Sequence, residues 1–143
     1  MNGYLIDANV LAELRRAHPH RGVLDFLQQT PRAELYLSEV TVAEIRFGIE
    51  RVAVPKRRVE LARWLEESVR PLFLGRILPV SEDIWLVWRI LLEEGRQAGY
   101  TYPQPDLVLA ATAAHHGLAV VTRDVEPFMR AGVPVHNPWA ESL

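Results

Sequence analysis

The chain contains no cysteine, only one lysine (Lys56) and no long apolar run. The absence of cysteine excludes disulfides and thiolate metal sites, and it is compatible with a reducing cytoplasm, where we expect the protein to act. Because no apolar run reaches the roughly 18 residues that a spanning helix needs, we expect no membrane association. The N-terminal segment has no basic region, and Asp7 interrupts its apolar stretch, so no signal peptide is predicted.

A length of 143 residues suits a single domain over residues 1–143, and a hydrophobic content of 49% indicates a folded, globular chain. The net charge of −2 counts against a strongly basic nucleic-acid-binding protein. All basic residues except Lys56 are arginines, which suit bidentate contacts to phosphate, although genomic base composition explains the same bias.

Apolar strand-like segments alternate with segments of helical periodicity along the chain. Strands are predicted at residues 3–6, 34–38, 76–80, 118–122 and 133–137. Helices are predicted at residues 9–16, 21–30, 41–51, 56–73, 81–99, 105–116 and 125–131. This alternation predicts an α/β fold with a mainly parallel sheet.

Four acidic residues, Asp7, Glu44, Asp106 and Asp124, each follow a strand-like run or lie at the start of a predicted helix. In an α/β protein such positions meet along one edge of the sheet, where ligand sites form. Four carboxylates on one edge repel one another unless a cation lies between them, and Mg²⁺ or Mn²⁺ prefers oxygen ligands. The pattern therefore predicts metal-assisted phosphodiester chemistry.

Each acid also has a purely structural interpretation. Asp7 and Asp124 are placed to cap the helices that follow them, and Glu44 forms a capping-box pattern with Thr41. Asp106 lies in the first helical turn, where the helix dipole favours an anion. Capping and metal binding are compatible, because one carboxylate has about four lone-pair sites. The joint placement of all four acids favours the metal site.

The motifs around these acids resemble those of the PIN domain, and among PIN domains those of VapC-like toxins. The matching segments are DAN (7–9), TVAEIRFGI (41–49), PQPDLVLAATA (103–113) and TRDVEPF (122–128), so the resemblance covers about residues 3–128. It implies a three-layer α/β/α fold with a central, mainly parallel sheet of four to five strands. It also implies a metal-dependent endoribonuclease toxin that forms a homodimer and has a protein antitoxin as its partner.

By this resemblance, Asp7, Glu44, Asp106 and Asp124 are the catalytic and metal-binding residues, and Glu126 is a possible extra or substitute ligand. In our working hypothesis the three aspartates hold one Mg²⁺ or Mn²⁺ directly or through water. Glu44 holds a second ion or orients the attacking water. The substrate is expected to be a tRNA or rRNA loop.

One position departs from the family pattern, since Ala8 stands where a Thr or Ser usually follows the first aspartate. A hydroxyl is therefore missing beside Asp7, and Asn9 and Thr122 are the remaining polar candidates for orienting it.

Two other functions are compatible with acids gathered on a parallel sheet. A signalling receiver domain also gathers acids on a parallel sheet, but it needs a lysine at a late strand end, and Lys56 lies between two helices. A catalytically silent PIN-type module that binds RNA or a protein partner remains as the alternative, although the presence of all four acids argues against it. Further expected contacts are Arg15, Arg16 and Arg123 with RNA, residues 41–58 with the antitoxin, and Trp64, Trp85, Trp88 and Ile90 within the core or the dimer.

Overall fold

The computed structural model describes residues 3–140 and contains a sheet of five strands. The strands are β1 (Tyr4–Ile6), β2 (Leu35–Ser38), β3 (Ile77–Leu78), β4 (Ala119–Val121) and β5 (Val135–His136). Their order in the sheet is β3-β2-β1-β4-β5, and all neighbouring strands pair in parallel. The predicted parallel sheet is confirmed, with a third strand shorter than residues 76–80.

Helices connect the strands, as parallel pairing requires. They are α1 (Ala8–Glu13), α2 (Arg21–Gln29), α3 (Glu39–Glu50), α4 (Pro55–Trp64), α5 (Arg70–Leu72), α6 (Glu82–Gln97), α7 (Asp106–His116) and α8 (Glu126–Arg130). A 3₁₀ turn at Arg32–Glu34 precedes β2, and a π-helical turn at Leu65–Val69 joins α4 to α5. The helix predicted over 56–73 is therefore helical throughout most of its length, but its hydrogen-bond pattern changes before Pro71.

Successive residues of β1 point to opposite faces of the sheet, and each face carries its own apolar core. Ile6 packs on one face with Val10, Leu11, Leu37 and Phe73. Leu5 packs on the other face, in a cluster that contains Leu109, Ala113, Val120 and Phe128. The sheet is thus the middle layer between two helical layers, as the predicted α/β/α architecture requires.

Two of the predicted helix caps are wrong. α3 begins at Glu39 because the Ser38 hydroxyl accepts a hydrogen bond from the Val40 N–H at 3.0 Å, so Thr41 and Glu44 lie inside the helix and form no capping box. Asp124 does not cap α8, whose cap position is Val125 and carries no side-chain cap bond.

The other two structural interpretations are confirmed. Asp7 occupies the N-cap of α1, where its Oδ1 accepts a hydrogen bond from the Ala8 N–H at 2.7 Å. Asp106 lies in the first turn of α7, and Gly117, with a φ of 68°, ends that helix in the left-handed conformation.

The carboxyl ends of β1 and β4 lie side by side, since Ile6 pairs with Val121. Asp7 and Thr122 are the next residues in each segment, so they meet at this edge of the sheet. No helix within residues 3–140 combines the length and apolarity that crossing a membrane requires.

Candidate functional site

The four predicted acids surround one pocket of about 270 Å³ at the carboxyl edge of the sheet. Its polar lining residues come from the end of β1, from α1, from α3, from the start of α7 and from the segment after β4. These residues are Asp7, Asn9, Thr41, Glu44, Asp106 and Asp124. The fold therefore brings together residues that are more than a hundred positions apart in the chain.

Asp7 is held in one orientation by hydrogen bonds to both carboxylate oxygens. Its Oδ1 accepts from the Ala8 N–H, and its Oδ2 accepts from the Thr122 hydroxyl at 2.9 Å. The Thr122 oxygen itself accepts from the Asn9 side-chain amide at 3.1 Å and from the Asp124 N–H at 3.0 Å. Because both lone pairs of that hydroxyl are used, its single proton points to Asp7.

This network also shows how the site accommodates Ala8. The hydroxyl that the family pattern places next to the first aspartate is absent here, but Thr122 supplies one to Asp7 from the end of β4. Thr122 is fully buried, so its side chain is held firmly in place. Asn9 and Thr122, predicted as the remaining polar candidates, are both part of the network.

The carboxylates in the pocket disfavour one another's ionisation. Burial raises the pKa of Asp106 to about 7, and the nearby charges of Asp7 and Asp124 and a hydrogen bond to Asp124 act in the same direction. Burial also raises the pKa of Asp7, with a further contribution from Asp124, although the hydrogen bonds from Thr122 and Ala8 oppose it. Asp106 is therefore about half protonated near neutral pH in the metal-free protein.

The donor set fits a hard divalent cation better than any other cofactor. Carboxylates and hydroxyls supply only oxygen ligands, which Mg²⁺ and Mn²⁺ prefer. A cation would also offset the burial and the repulsion from Asp7 and Asp124 that raise the pKa of Asp106. Within residues 3–140, however, no three acidic or imidazole side chains converge in a geometry that holds a metal directly. This arrangement suits Mg²⁺, which binds through one or two carboxylates and keeps several water molecules.

A second, mainly apolar groove of about 330 Å³ adjoins the acidic pocket and shares Ala8 and Glu44 with it. Its other lining residues come from α1 and the turn after it, from α3 and from α4. They are Ala12, Arg15, Ile45, Gly48, Ile49, Arg57, Leu61 and Trp64. The Arg15 guanidinium stacks over the Trp64 ring at 5.2 Å, so a cation and an apolar surface lie directly beside the four acids.

Several predicted contact residues lie outside the acidic pocket. Glu126 pairs with Arg130 at 2.7 Å on the surface of α8, which does not support its role as an extra ligand. The Arg16 guanidinium lies 3.4 Å from Glu13. Arg123 is exposed and stacks over the Trp139 ring at 5.3 Å, so its cationic edge remains available beside the pocket.

Two buried polar residues, Glu13 and Thr41, have no functional role predicted from the sequence. Glu13 is only 4% exposed, and its carboxylate accepts a hydrogen bond from the His20 N–H at 2.8 Å. Burial raises the pKa of Glu13, but that bond and the nearby Arg16 lower it overall. The second residue is Thr41, for which the sequence predicts a capping role. Its spacing of three residues from Glu44 is the signal that places both side chains on one helical face.

Comparison with known proteins identifies the family of the chain. The family model of the PIN domain matches residues 4–133. The chain is 39% identical over 135 residues to the VapC ribonuclease Y4jK of Sinorhizobium fredii, covering 94% of this chain and 96% of that protein. It is 38% identical to toxin FitB of Neisseria gonorrhoeae, covering 94% of this chain and 97% of that toxin.

The fold agrees with these sequence relationships. The crystal structure of FitAcB from Neisseria gonorrhoeae superposes with a TM-score of 0.90 at 38% sequence identity, covering 95% of this chain and 98% of that chain. The match of the family model, the similarity to proteins of nearly the same length and the shared fold lead to one conclusion: the chain belongs to the PIN domain family.

Proposed function

We propose that this protein is a metal-dependent endoribonuclease toxin of a toxin–antitoxin pair, and that residues 1–143 act as one domain in the cytoplasm. The observation that carries the proposal is the pocket in which Asp7, Glu44, Asp106 and Asp124 lie together. The similarity to a VapC ribonuclease and to toxin FitB over almost the whole chain supports it.

In this proposal Asp7, Asp106 and Asp124 would hold a Mg²⁺ or Mn²⁺ ion directly or through water, and Glu44 would hold a second ion or orient the attacking water. Such an ion makes water nucleophilic near neutral pH and stabilises negative charge on the phosphate. Thr122 keeps Asp7 oriented toward the pocket through the hydrogen bond at 2.9 Å. Asp106, whose pKa is raised to about 7, would have to release its proton to hold a cation, because the ionised carboxylate is the form that binds metal.

The substrate in this proposal is RNA, with a tRNA or rRNA loop as the preferred form. A looped strand can bring its phosphate down to carboxylates that line a pocket, whereas a rigid duplex would meet the rim. Arg123 is exposed next to Asp124 and provides a phosphate contact at that rim. With a net charge of −2, binding depends on few cations, so activity should fall only modestly with added salt.

A ribonuclease that damages its own cell needs a partner that keeps it inactive, and the groove beside the acidic pocket is where we place the antitoxin. The groove is mainly apolar, and much of its lining, including Ile45, Gly48 and Arg57, falls within residues 41–58. A segment lying across it would reach Glu44, which belongs to both cavities. An arginine on that segment would be attracted to the carboxylates and would occupy the metal's place.

The proposal also includes a homodimer. Trp85, Leu86 and Ile90 of α6 are 45%, 59% and 48% exposed, and together they form an apolar surface on one helix. Trp64 packs half-buried against the core, which is one of the two places predicted for it, and also lines the apolar groove. Light scattering should give a dimer mass for the wild type and a monomer mass for Trp85→Glu; a wild-type monomer at micromolar concentration would exclude this assembly.

Cleavage of purified RNA by the isolated protein tests the catalytic proposal. Protein freed from any antitoxin is incubated with total cellular RNA in Mn²⁺ or in EDTA, and the 5′ ends of the fragments are mapped. We expect discrete fragments from the wild type in Mn²⁺, and none in EDTA or from Asp7→Asn. Asp25→Asn is the matched control, because it makes the same chemical change at a residue of α2 that lies outside the pocket.

Each alternative gives a different result in this assay. Equal cleavage by wild type and Asp7→Asn would show that the activity comes from a contaminant or does not use Asp7. If circular dichroism shows a folded protein but no divalent metal supports cleavage, the chain is a catalytically silent PIN-type binding module. Loss of cleavage by Asp25→Asn as well would point to a general loss of structure.

A further inference from the structure

The hydroxyl of Thr41 is a buried polar group that the protein itself does not satisfy. Thr41 is 2% exposed, and its Oγ1 has no hydrogen-bond partner within the part of the chain that the structure describes. The residue lines the acidic pocket, one helical turn before Glu44 on α3. Buried hydroxyls are nearly always hydrogen-bonded, so an unsatisfied one in a pocket indicates a group that arrives from outside the chain.

Another buried threonine of the same protein shows the usual arrangement. Thr112 lies inside α7 and is fully buried, and its hydroxyl donates to the Val108 carbonyl at 2.8 Å. This bond to the preceding turn is the common local solution for a threonine in a helix. Thr41 is also helical and buried but makes no such bond. Its hydroxyl is therefore left without a partner at the wall of the pocket.

The chemistry of the pocket defines what that group is. Ionised carboxylates accept hydrogen bonds but donate none, and the hydroxyl can both donate and accept. A hydrated divalent cation among these carboxylates presents water protons, and the Thr41 oxygen is one further acceptor for them. Since no three acidic side chains of the described residues converge on one point, water molecules must complete the shell of any cation in the pocket.

We propose that Thr41 is a positioning residue whose hydroxyl holds a water molecule of the cation's hydration shell beside Glu44. This inference rests on the metal-dependent function proposed above and extends it to a residue outside the acidic set. The hydroxyl oxygen fixes the water by accepting a hydrogen bond from it. The water is thereby oriented before substrate arrives.

The proposal predicts that loss of the Thr41 hydroxyl weakens metal binding but does not lower the stability of the metal-free protein. Thr41→Val keeps the branched shape and removes the hydroxyl, so it should weaken Mn²⁺ binding at least about tenfold, as loss of a group that orients a metal site does. In EDTA the same variant should be as stable as the wild type or more stable, because it replaces an unsatisfied buried hydroxyl with an apolar group. Thr41→Ser retains the hydroxyl and should bind Mn²⁺ nearly as well as the wild type.

The experiment is calorimetric titration of Mn²⁺ into wild type, Thr41→Val and Thr41→Ser, with thermal unfolding of each in EDTA. Thr112→Val is the matched control: it loses a satisfied hydroxyl, so it should unfold at a lower temperature and keep the wild-type affinity for Mn²⁺. Weaker binding by Thr41→Val, rescue by Thr41→Ser and an undiminished melting temperature together support the assignment.

Three results would overturn it. Wild-type affinity in Thr41→Val would show that the hydroxyl does not contact the cation's water. A lower melting temperature of Thr41→Val in EDTA would show that the hydroxyl has a structural partner. Absence of Mn²⁺ binding by the wild type would refute the proposed metal dependence and the Thr41 inference with it, whereas the first two results leave the metal dependence intact.

Discussion

Binding of a divalent cation to the acidic pocket should be linked to release of the proton from Asp106. The pKa of this carboxyl is raised to about 7 by burial and then by the charges of Asp7 and Asp124. With that pKa, about one molecule in eleven is ionised at Asp106 at pH 6, about half at pH 7 and about ten in eleven at pH 8. Because only the ionised form binds metal, Mn²⁺ affinity should rise about tenfold from pH 6 to pH 8, which is about 1.4 kcal/mol.

The assay is calorimetric titration of Mn²⁺ at several pH values, in two buffers of different ionisation enthalpy. Their difference gives the number of protons released, expected to be about 0.9 per cation at pH 6 and about 0.1 at pH 8. Asp106→Asn should bind more weakly and lose most of this dependence, and Asp25→Asn should retain it. An affinity that does not change between pH 6 and pH 8, with no proton release, would refute the reasoning.

Ionisation of Asp106 should raise the affinity for metal but lower the stability of the metal-free protein. The folded-state pKa of Asp106 lies above its ordinary value of 3.8, so the folded protein binds more protons than the unfolded chain between these two values. Stability in EDTA should therefore fall as pH rises from about 4 to about 7 and then level off. Asp106→Asn should show a smaller decline, to which the raised pKa of Asp7 still contributes. A decline of equal size in both proteins would assign it to groups other than Asp106.

Three further predictions concern single side chains. Thr122→Val removes the hydroxyl that joins Asp7, Asn9 and Asp124, so it should lower the free energy of unfolding by about 1–3 kcal/mol in urea titrations; unchanged stability would show that the network is dispensable. Phe128→Ala leaves a cavity at a fully buried position between the sheet and α7. It should lower the free energy of unfolding by about 3–5 kcal/mol in the same titrations, and a decrease below about 1 kcal/mol would argue against that packing. Gly48→Ala should stabilise the protein by about 0.5–1 kcal/mol, because a Cβ there meets no atom within 4 Å and alanine favours the helix; destabilisation would contradict the exposed helical position.

Local sequence signals were reliable where neighbouring residues decide the structure. The alternation of apolar runs and helical periodicity predicted the parallel sheet, since burial of both sheet faces requires such runs and the connecting helices. Asp7 was predicted to cap α1 and does so, because the cap bond joins adjacent residues. The same signals failed at Thr41, where Ser38 caps α3 three residues earlier. At Asp124 the backbone N–H bonds to Thr122 instead of the side chain capping α8.

The sequence by itself thus determined which residue types reach the carboxyl edge of the sheet, because the order of strands, helices and acids is a property of the chain. Only the tertiary structure decided their chemical state. The hydroxyl that orients Asp7 comes from Thr122, 115 positions away, and the pKa of Asp106 depends on burial and on Asp7 and Asp124. Whether the Thr41 hydroxyl finds a partner likewise depends on packing. Burial, distance and charge between remote residues exist only after the layers have closed around the sheet, so no local pattern can specify them.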